Sequence, residues 1–166
     1  MSVSVFIHNM SSVLCSKGMK TKNLYSGFGG SIDSKDPSIE YAGIRELLEE
    51  LFDVQVTNFQ VASLIKNLGH AFPSAVYPDH HIIMLPYDNL KNMLYKLRKA
   101  GISSRFYPAN FPRDESEIIF LRNRIKGEVY GLRKCSIDMI MRKPHLFSRE
   151  FLSDVAFALK MGYLKP

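Results

Sequence analysis

The chain has no tryptophan, only two cysteines, and no apolar run near the roughly 18 residues that a bilayer-spanning helix needs. Each absence excludes something. Without tryptophan, stacking on a purine would fall to phenylalanine or tyrosine. Cys15 and Cys135 are too few for a disulfide framework and lack the CxxC spacing of a thiolate metal site, so a reducing, intracellular setting, cytoplasmic or nuclear, is expected. The opening "MSVSVFIHNM" lacks the basic n-region and long apolar core of a secretory signal, and no membrane partner is expected. Low-complexity segments, internal repeats and runs of five basic residues are also missing; "LRNRIK" at 121–126 is the densest basic stretch.

What is present suits one globular domain over residues 1–166, with 46% hydrophobic and 23% charged residues and a length able to bury one core. The net charge of +6 favours an anionic partner such as a nucleotide, RNA or another phosphate ester. "SVSVFI" alternates as a strand does, and "SSVLCSKG" reads as its hairpin partner. Asp36 and Pro37 offer a helix start, with the helix expected to run to about residue 51. "VQVTNFQVASLIK", "HHIIMLPY" and "ESEIIFLRN" read as strands from their β-branched and apolar content. "NLKNMLYKLRKAG" sets Leu90, Met93, Leu94 and Leu97 on one helical stripe, and a last helix follows Ser148. This order of elements predicts an α/β (α+β) chain, a mixed sheet sandwiched between helices.

Within the first helix Ile44, Leu47, Leu48 and Leu51 form the apolar stripe, while Glu46, Glu49 and Glu50 crowd the opposite side. Like charges three and four apart repel by roughly 0.2–0.5 kcal/mol per pair. A hard divalent cation would relieve that repulsion, since such ions prefer carboxylate and carbonyl oxygens. An acidic, solvated helix face is the plainer account of an isolated ExxEE.

The wider pattern is a glycine pair, Gly29 and Gly30, then fourteen residues, then "RELLEEL" from Arg45. It resembles the signature of the Nudix hydrolase superfamily over about 23 residues. The extra spacing in "GGSIDSKDPSIEYAGIRELLEEL" is similar to the branch of snoRNA-decapping and inosine-diphosphate hydrolases. Departures are Asp36 in place of the mid-motif glutamate, one extra residue before Arg45, and Phe52 in place of the closing glycine. The resemblance implies a Nudix fold and Mg²⁺ or Mn²⁺ held by Glu46, Glu49, Glu50 and the carbonyl of Gly30 or Gly29. It also implies that Arg45 orients loop and helix, and that a late glutamate, Glu117 with Glu115 as neighbour, completes the metal set. Lys20 falls where the branch has a substrate-contacting arginine, with Lys17 and Lys22 close by; Phe28 stands in place of a proline in the glycine turn. His8, at the end of the first strand, is a candidate for contacting base or phosphate. His80 and His81 are adjacent in a strand and so point to opposite faces.

The implied activity is metal-dependent cleavage of a diphosphate linkage in a nucleotide or RNA 5′ cap, by a homodimer. A diphosphoinositol polyphosphate substrate, or an RNA-binding module with little turnover, are the alternatives. A charge-driven partner makes one prediction: binding of a capped RNA weakens steadily as salt rises, because counterions are released on association. Salt-independent affinity in a filter-binding titration would exclude it.

Overall fold

Alternation along the first strand sets the layering. The computed structural model describes residues 1–55, 57–66, 70–73, 77–124 and 127–166. In chain order the elements are β1 (Ser2–His8), β2 (Ser12–Gly18), β3 (Tyr25–Ser26), β4 (Phe28–Ser31), α1 (Ile39–Phe52), α2 (Asn58–Ile65) and β5 (His70–Pro73). They continue as β6 (His80–Pro86), α3 (Tyr87–Lys99), α4 (Glu115–Arg122), β7 (Val129–Ser136), α5 (Ile137–Arg142), a 3₁₀ turn at Pro144–Leu146, and α6 (Arg149–Lys160). In β1, Val3, Val5 and Ile7 enter one apolar cluster with residues of α1, α2, α3 and α4. Phe6, on the other face, joins a second cluster with α5 and α6. The sheet thus lies between two helical layers, as its order of elements predicts.

The sheet is mixed. β6 runs parallel to β1 along its whole length, from Ser2↔His80 to His8↔Pro86, and β5 adds antiparallel to β6. β2 meets β1 at His8↔Val13 and then passes to β3 at Ser16↔Ser26. Over Ser2 to Val5, β1 instead pairs with β4. The two strands of the first hairpin therefore diverge, and the fork between them holds the glutamate-lined cavity described below. β7 pairs antiparallel with β2 on its other side.

Two segments read as strands are helices. α2 begins at Asn58 because Thr57 accepts from Gln60 N–H at 3.4 Å while Gln60 Oε1 accepts from Thr57 N–H at 2.9 Å, a reciprocal cap. "ESEIIFLRN" forms α4, capped by Asp114 accepting from Glu117 N–H at 2.9 Å. The expected start of α1 also moves: Ser38, not Asp36, is the N-cap, accepting from Tyr41 N–H at 3.1 Å. Residues 56, 125 and 126, inside two of the stretches discussed above, lie outside the described residues.

The end of α1 explains Phe52. Its side chain is 0% exposed and packs against Tyr107 and Phe111 with ring centroids 5.5 and 5.4 Å away. The left-handed cap passes to Asp53, at φ 52° and ψ 48°, whose N–H bonds to the Glu49 carbonyl while Val54 N–H bonds to that of Leu48. A glycine at the end of α1 should therefore be harmful at one position and tolerated at the next. Phe52→Gly is expected to cost on the order of 4 kcal/mol, from the lost ring and the helical glycine. Asp53→Gly should stay within about 1 kcal/mol, since glycine relieves the left-handed backbone while the exposed Arg105 pair is lost. Urea denaturation of both variants measures the contrast.

Candidate active site

Arg45 is the hub of the acidic segment. Its guanidinium grips Asp36 through two bonds, Nε to Oδ1 at 3.1 Å and Nη2 to Oδ2 at 3.0 Å. The same group donates to the Ser31 carbonyl at 3.0 Å, to Glu46 Oε1 at 2.8 Å and to Glu49 Oε2 at 3.5 Å. One side chain thereby fastens the loop after β4 to the acidic face of α1. Asp36 serves as its loop anchor, and the Arg45 bonds hold that carboxyl below its usual range.

The glycine strand brings backbone against carboxylate. Gly29 has φ +139° and a Cβ there would collide with the Val3 carbonyl, so only glycine fits. Its N–H donates to Glu50 Oε2 at 3.1 Å. A Cβ at Gly30 would run into the Glu46 carboxylate. Glu46 and Glu50 line a cavity of about 550 Å³ in the strand fork, together with Lys20, Phe28, Gly29, Gly30 and Glu128. Glu49 joins Glu46, Glu50 and Glu128 around a smaller neighbouring recess.

Sequence reasoning missed Glu128. This residue stands immediately before β7, and its carboxylate meets Lys20 Nζ at 2.5 Å. Glu117, the expected late acid, lies in the first turn of α4 and bonds the backbone and side chain of Arg113. It lines neither of these recesses. Glu115 pairs with Lys134 at 3.5 Å and faces a different cavity. The alternating "VYGLRKC" after Glu128 was the available signal for a late strand preceded by an acid.

The other expected contacts divide. Lys20 is at the cavity, its charge held on mainly by Glu128. Phe28 lines it but is only 2% exposed and belongs to the core. His8 does not reach it: at the far end of β1 it lines the second cavity with Tyr87, and its Nδ1 accepts from Met10 N–H at 3.0 Å. His80, set aside in the sequence, does line the glutamate cavity.

Charge in the cavity is poorly compensated. Burial, with Glu46 adding to it, pushes the Glu50 carboxyl up to about 7 against the pull of Gly29 N–H. Burial also raises Glu49, against Arg45. Among the described residues no group of three or more carboxylate, imidazole or thiol side chains is set to hold a metal ion. Oxygen atoms of Glu46 and Glu50 are instead engaged by Arg45 and Gly29.

No family model and no curated protein matches the chain in sequence. Among solved structures it is similar to a bifunctional NMN adenylyltransferase/ADP ribose pyrophosphatase from Francisella tularensis complexed with AMP and Mn ion, with TM-score 0.53 and 16% identity over 97% of this chain and 41% of that one. A second structure of that enzyme gives 0.54 and 17%, over 97% and 40%. A NUDIX hydrolase from Nitrosomonas europaea aligns at TM-score 0.44 and 15% identity, over 99% and 90%. At such identity the likeness to the bifunctional enzyme shows a shared fold, and the expected fold class holds. The chain spans about two fifths of that enzyme's length.

Glu50 makes a pH prediction. Its folded value of about 7 lies above the ordinary 4.5, so between these pH values the folded state keeps a proton that the unfolded chain has lost. Stability from this group is thus present at low pH and falls as pH rises through the window, by on the order of 3 kcal/mol. His8, pushed down to about 4 by burial, acts in the opposite sense below 6.5. The readout is therefore the difference between parent and Glu50→Gln. Without divalent cations the variant should gain on the parent from pH 5 to pH 8 in denaturant melts; a constant difference would contradict a strained Glu50.

Proposed function

We propose that the chain is a divalent-metal-dependent pyrophosphohydrolase of Nudix type, cleaving a diphosphate linkage in a nucleotide or capped RNA. The observation that carries this reading is the meeting of Glu46, Glu50 and Glu128 in one cavity with a glycine strand, while Arg45 braces the helix from behind. The fold shared with the ADP ribose pyrophosphatase supports it.

The donor chemistry fits a hard cation. Three carboxylates face one lysine among the described lining residues, and burial, with Glu46 adding to it, pushes the Glu50 carboxyl up. Glu46, Glu50 and Glu128 would hold Mg²⁺ or Mn²⁺, with Glu49 and the Gly30 carbonyl beside them. Such an ion, when bound, neutralises phosphoryl oxygens and lowers the pKa of bound water. The chain's own part is positional. Glu46 must turn from Arg45, and Arg45 keeps Asp36 and Ser31 as anchors when it does, so loop and helix stay joined. Lys20, on leaving Glu128, can meet a phosphate oxygen. Gly29 and Gly30 let the phosphates approach the backbone without a Cβ in the way.

A diphosphoinositol polyphosphate fits this cavity less well, since so many phosphates need several cations and the lining offers Lys20. The homodimer and the capped-RNA preference belong to the family resemblance. The RNA-binding module is the reading to fall back on if RNA is retained without metal and without turnover.

The test is a product screen with and without Mg²⁺ and Mn²⁺ over ADP-ribose, inosine diphosphate, capped RNA and a diphosphoinositol. On the best substrate, Glu50→Gln and Glu128→Gln should remain folded while turnover falls roughly a hundredfold or more, the loss of a few kcal/mol of transition-state stabilisation. Glu117→Gln should keep near-parental turnover. Parental rates in both Glu49→Gln and Glu50→Gln would falsify the metal platform.

A further inference from the structure

The cavity has a second wall, on the face of β1 opposite Val3 and Val5. Ser2 and Ser4 stand there beside His80 of β6, the ladder partner of Ser2. His80 Nε2 lies 3.1 Å from Asp154 Oδ2 and 3.1 Å from Ser4 Oγ, and Nδ1 lies 2.7 Å from Ser2 Oγ. Asp154 projects from α6, is 2% exposed, and its Oδ1 has no hydrogen-bond partner among the described residues.

These contacts dictate proton positions. Asp154 accepts, so Nε2 of His80 carries the hydrogen. In the neutral ring Nδ1 is then an acceptor, and Ser2 must donate its hydroxyl proton to it. The lone pairs of Ser2 Oγ are left to accept from a ligand. Ser4 Oγ shares the Nε2 hydrogen as an acceptor, which leaves its own O–H to donate. The wall therefore offers one acceptor and one donor, two residues apart on the same strand face and so about 7 Å from each other.

The chemistry around them narrows the ligand. Lys20 is the one lysine or arginine among the described lining residues, and they do not build this wall for a further phosphate. Phe28 is the one phenylalanine, tyrosine or tryptophan among the described lining residues and is 2% exposed, so these residues offer no stacking platform for a base. Opposite Ser4 in the ladder is Gly29, with no side chain to fill the space.

We propose that Ser2 and Ser4, set in place by the Asp154–His80 pair, form the subsite for the neutral, hydroxyl-bearing part of the substrate, a pentose or similar polyol joined to the phosphates. This rests on the diphosphate reading above and names the substrate portion next to the cleaved linkage. Hydroxyl groups both donate and accept, as the two serines require. His80 and Asp154 are positioning residues; the serines make the contact.

The experiment uses ribose 5-phosphate and inorganic phosphate, neither of which contains a diphosphate linkage, titrated by NMR into the full chain with Mg²⁺. The parent should bind the sugar phosphate at least about tenfold more tightly. Ser2→Ala and Ser4→Ala, which leave His80 paired with Asp154, should each lower that ratio about three- to tenfold, the worth of one hydrogen bond, with inorganic phosphate affinity unchanged. The His80 ring signals should shift with the sugar phosphate and not with phosphate, and ¹⁵N shifts should show the Nε2–H tautomer in the parent. Equal parental affinity for the two ligands, or an undiminished ratio in both variants, overturns the subsite. A serine-dependent sugar preference in a chain that cleaves nothing in the screen overturns the hydrolase reading alone and leaves the subsite standing.

Discussion

The arrangement depends on one guanidinium. Three glutamates within five residues of α1 repel one another, and a helix face carrying them would be unfavourable in isolation. Arg45, only 18% exposed, takes two of them and spends its other side on Asp36 and the Ser31 carbonyl. Planar, forked donors make that possible; a lysine ammonium could not hold both carboxyl oxygens of Asp36 along its plane and still reach Glu46. The consequence is mechanical as well as electrostatic. The loop from β4 to α1 is tied at a point next to Gly30, so the backbone that closes on Glu46 is held by the residue that neutralises Glu46.

A second constraint is the divergence of β1 and β2. Two strands that stayed paired would close the sheet and leave no space for a ligand. Because β2 leaves β1 after His8↔Val13 and takes up β3 instead, the fork is lined by whatever the flanking strands present. They present small residues: Ser16, Gly18, Ser26, Gly27, Gly29 and Gly30. Small side chains leave room, while the larger groups that act on a ligand come from outside the fork: α1, the Lys20 turn, His80, and the residue before β7. Distinct elements thereby contribute to one cavity without competing for the same volume.

The sequence made the acidic helix legible because its two periods agree: leucines point one way and glutamates the other. Arg45 and the glycine pair were likewise readable from spacing. The two helices read as strands share one cause. The segments that became α2 and α4 are rich in valine, isoleucine and phenylalanine, and that content favoured strands. Each is preceded by a capping residue with its partner three positions on, Thr57 with Gln60 and Asp114 with Glu117. Those caps, together with burial of Val61, Leu64 and Ile118 in the α1 side of the core, outweigh the propensity. Glu117 was likewise sought before a strand and stands instead in the first turn of α4, while Glu128 precedes β7. His80 was passed over because its partner, Asp154, lies 74 residues away in sequence, a separation that local periodicity cannot bridge.

Charge is segregated in a way that bears on order of events. The chain as a whole is +6, yet the cavity sets Glu46, Glu50 and Glu128 against Lys20. A phosphate ester is drawn toward the basic exterior and repelled at the cavity itself. On the proposed reading the repulsion is removed only when positive charge enters among the carboxylates, so a divalent cation must precede or accompany the diphosphate. The Lys20–Glu128 pair acts in the same direction. While it is closed, the one lysine of the lining is spent on a glutamate and cannot meet a phosphate; a cation taken up by Glu128 releases it. On that reading acidic lining, net positive charge and a neutral serine wall divide the work of recognition: admission dependent on a cation, long-range attraction, and reading of the uncharged part of the ligand.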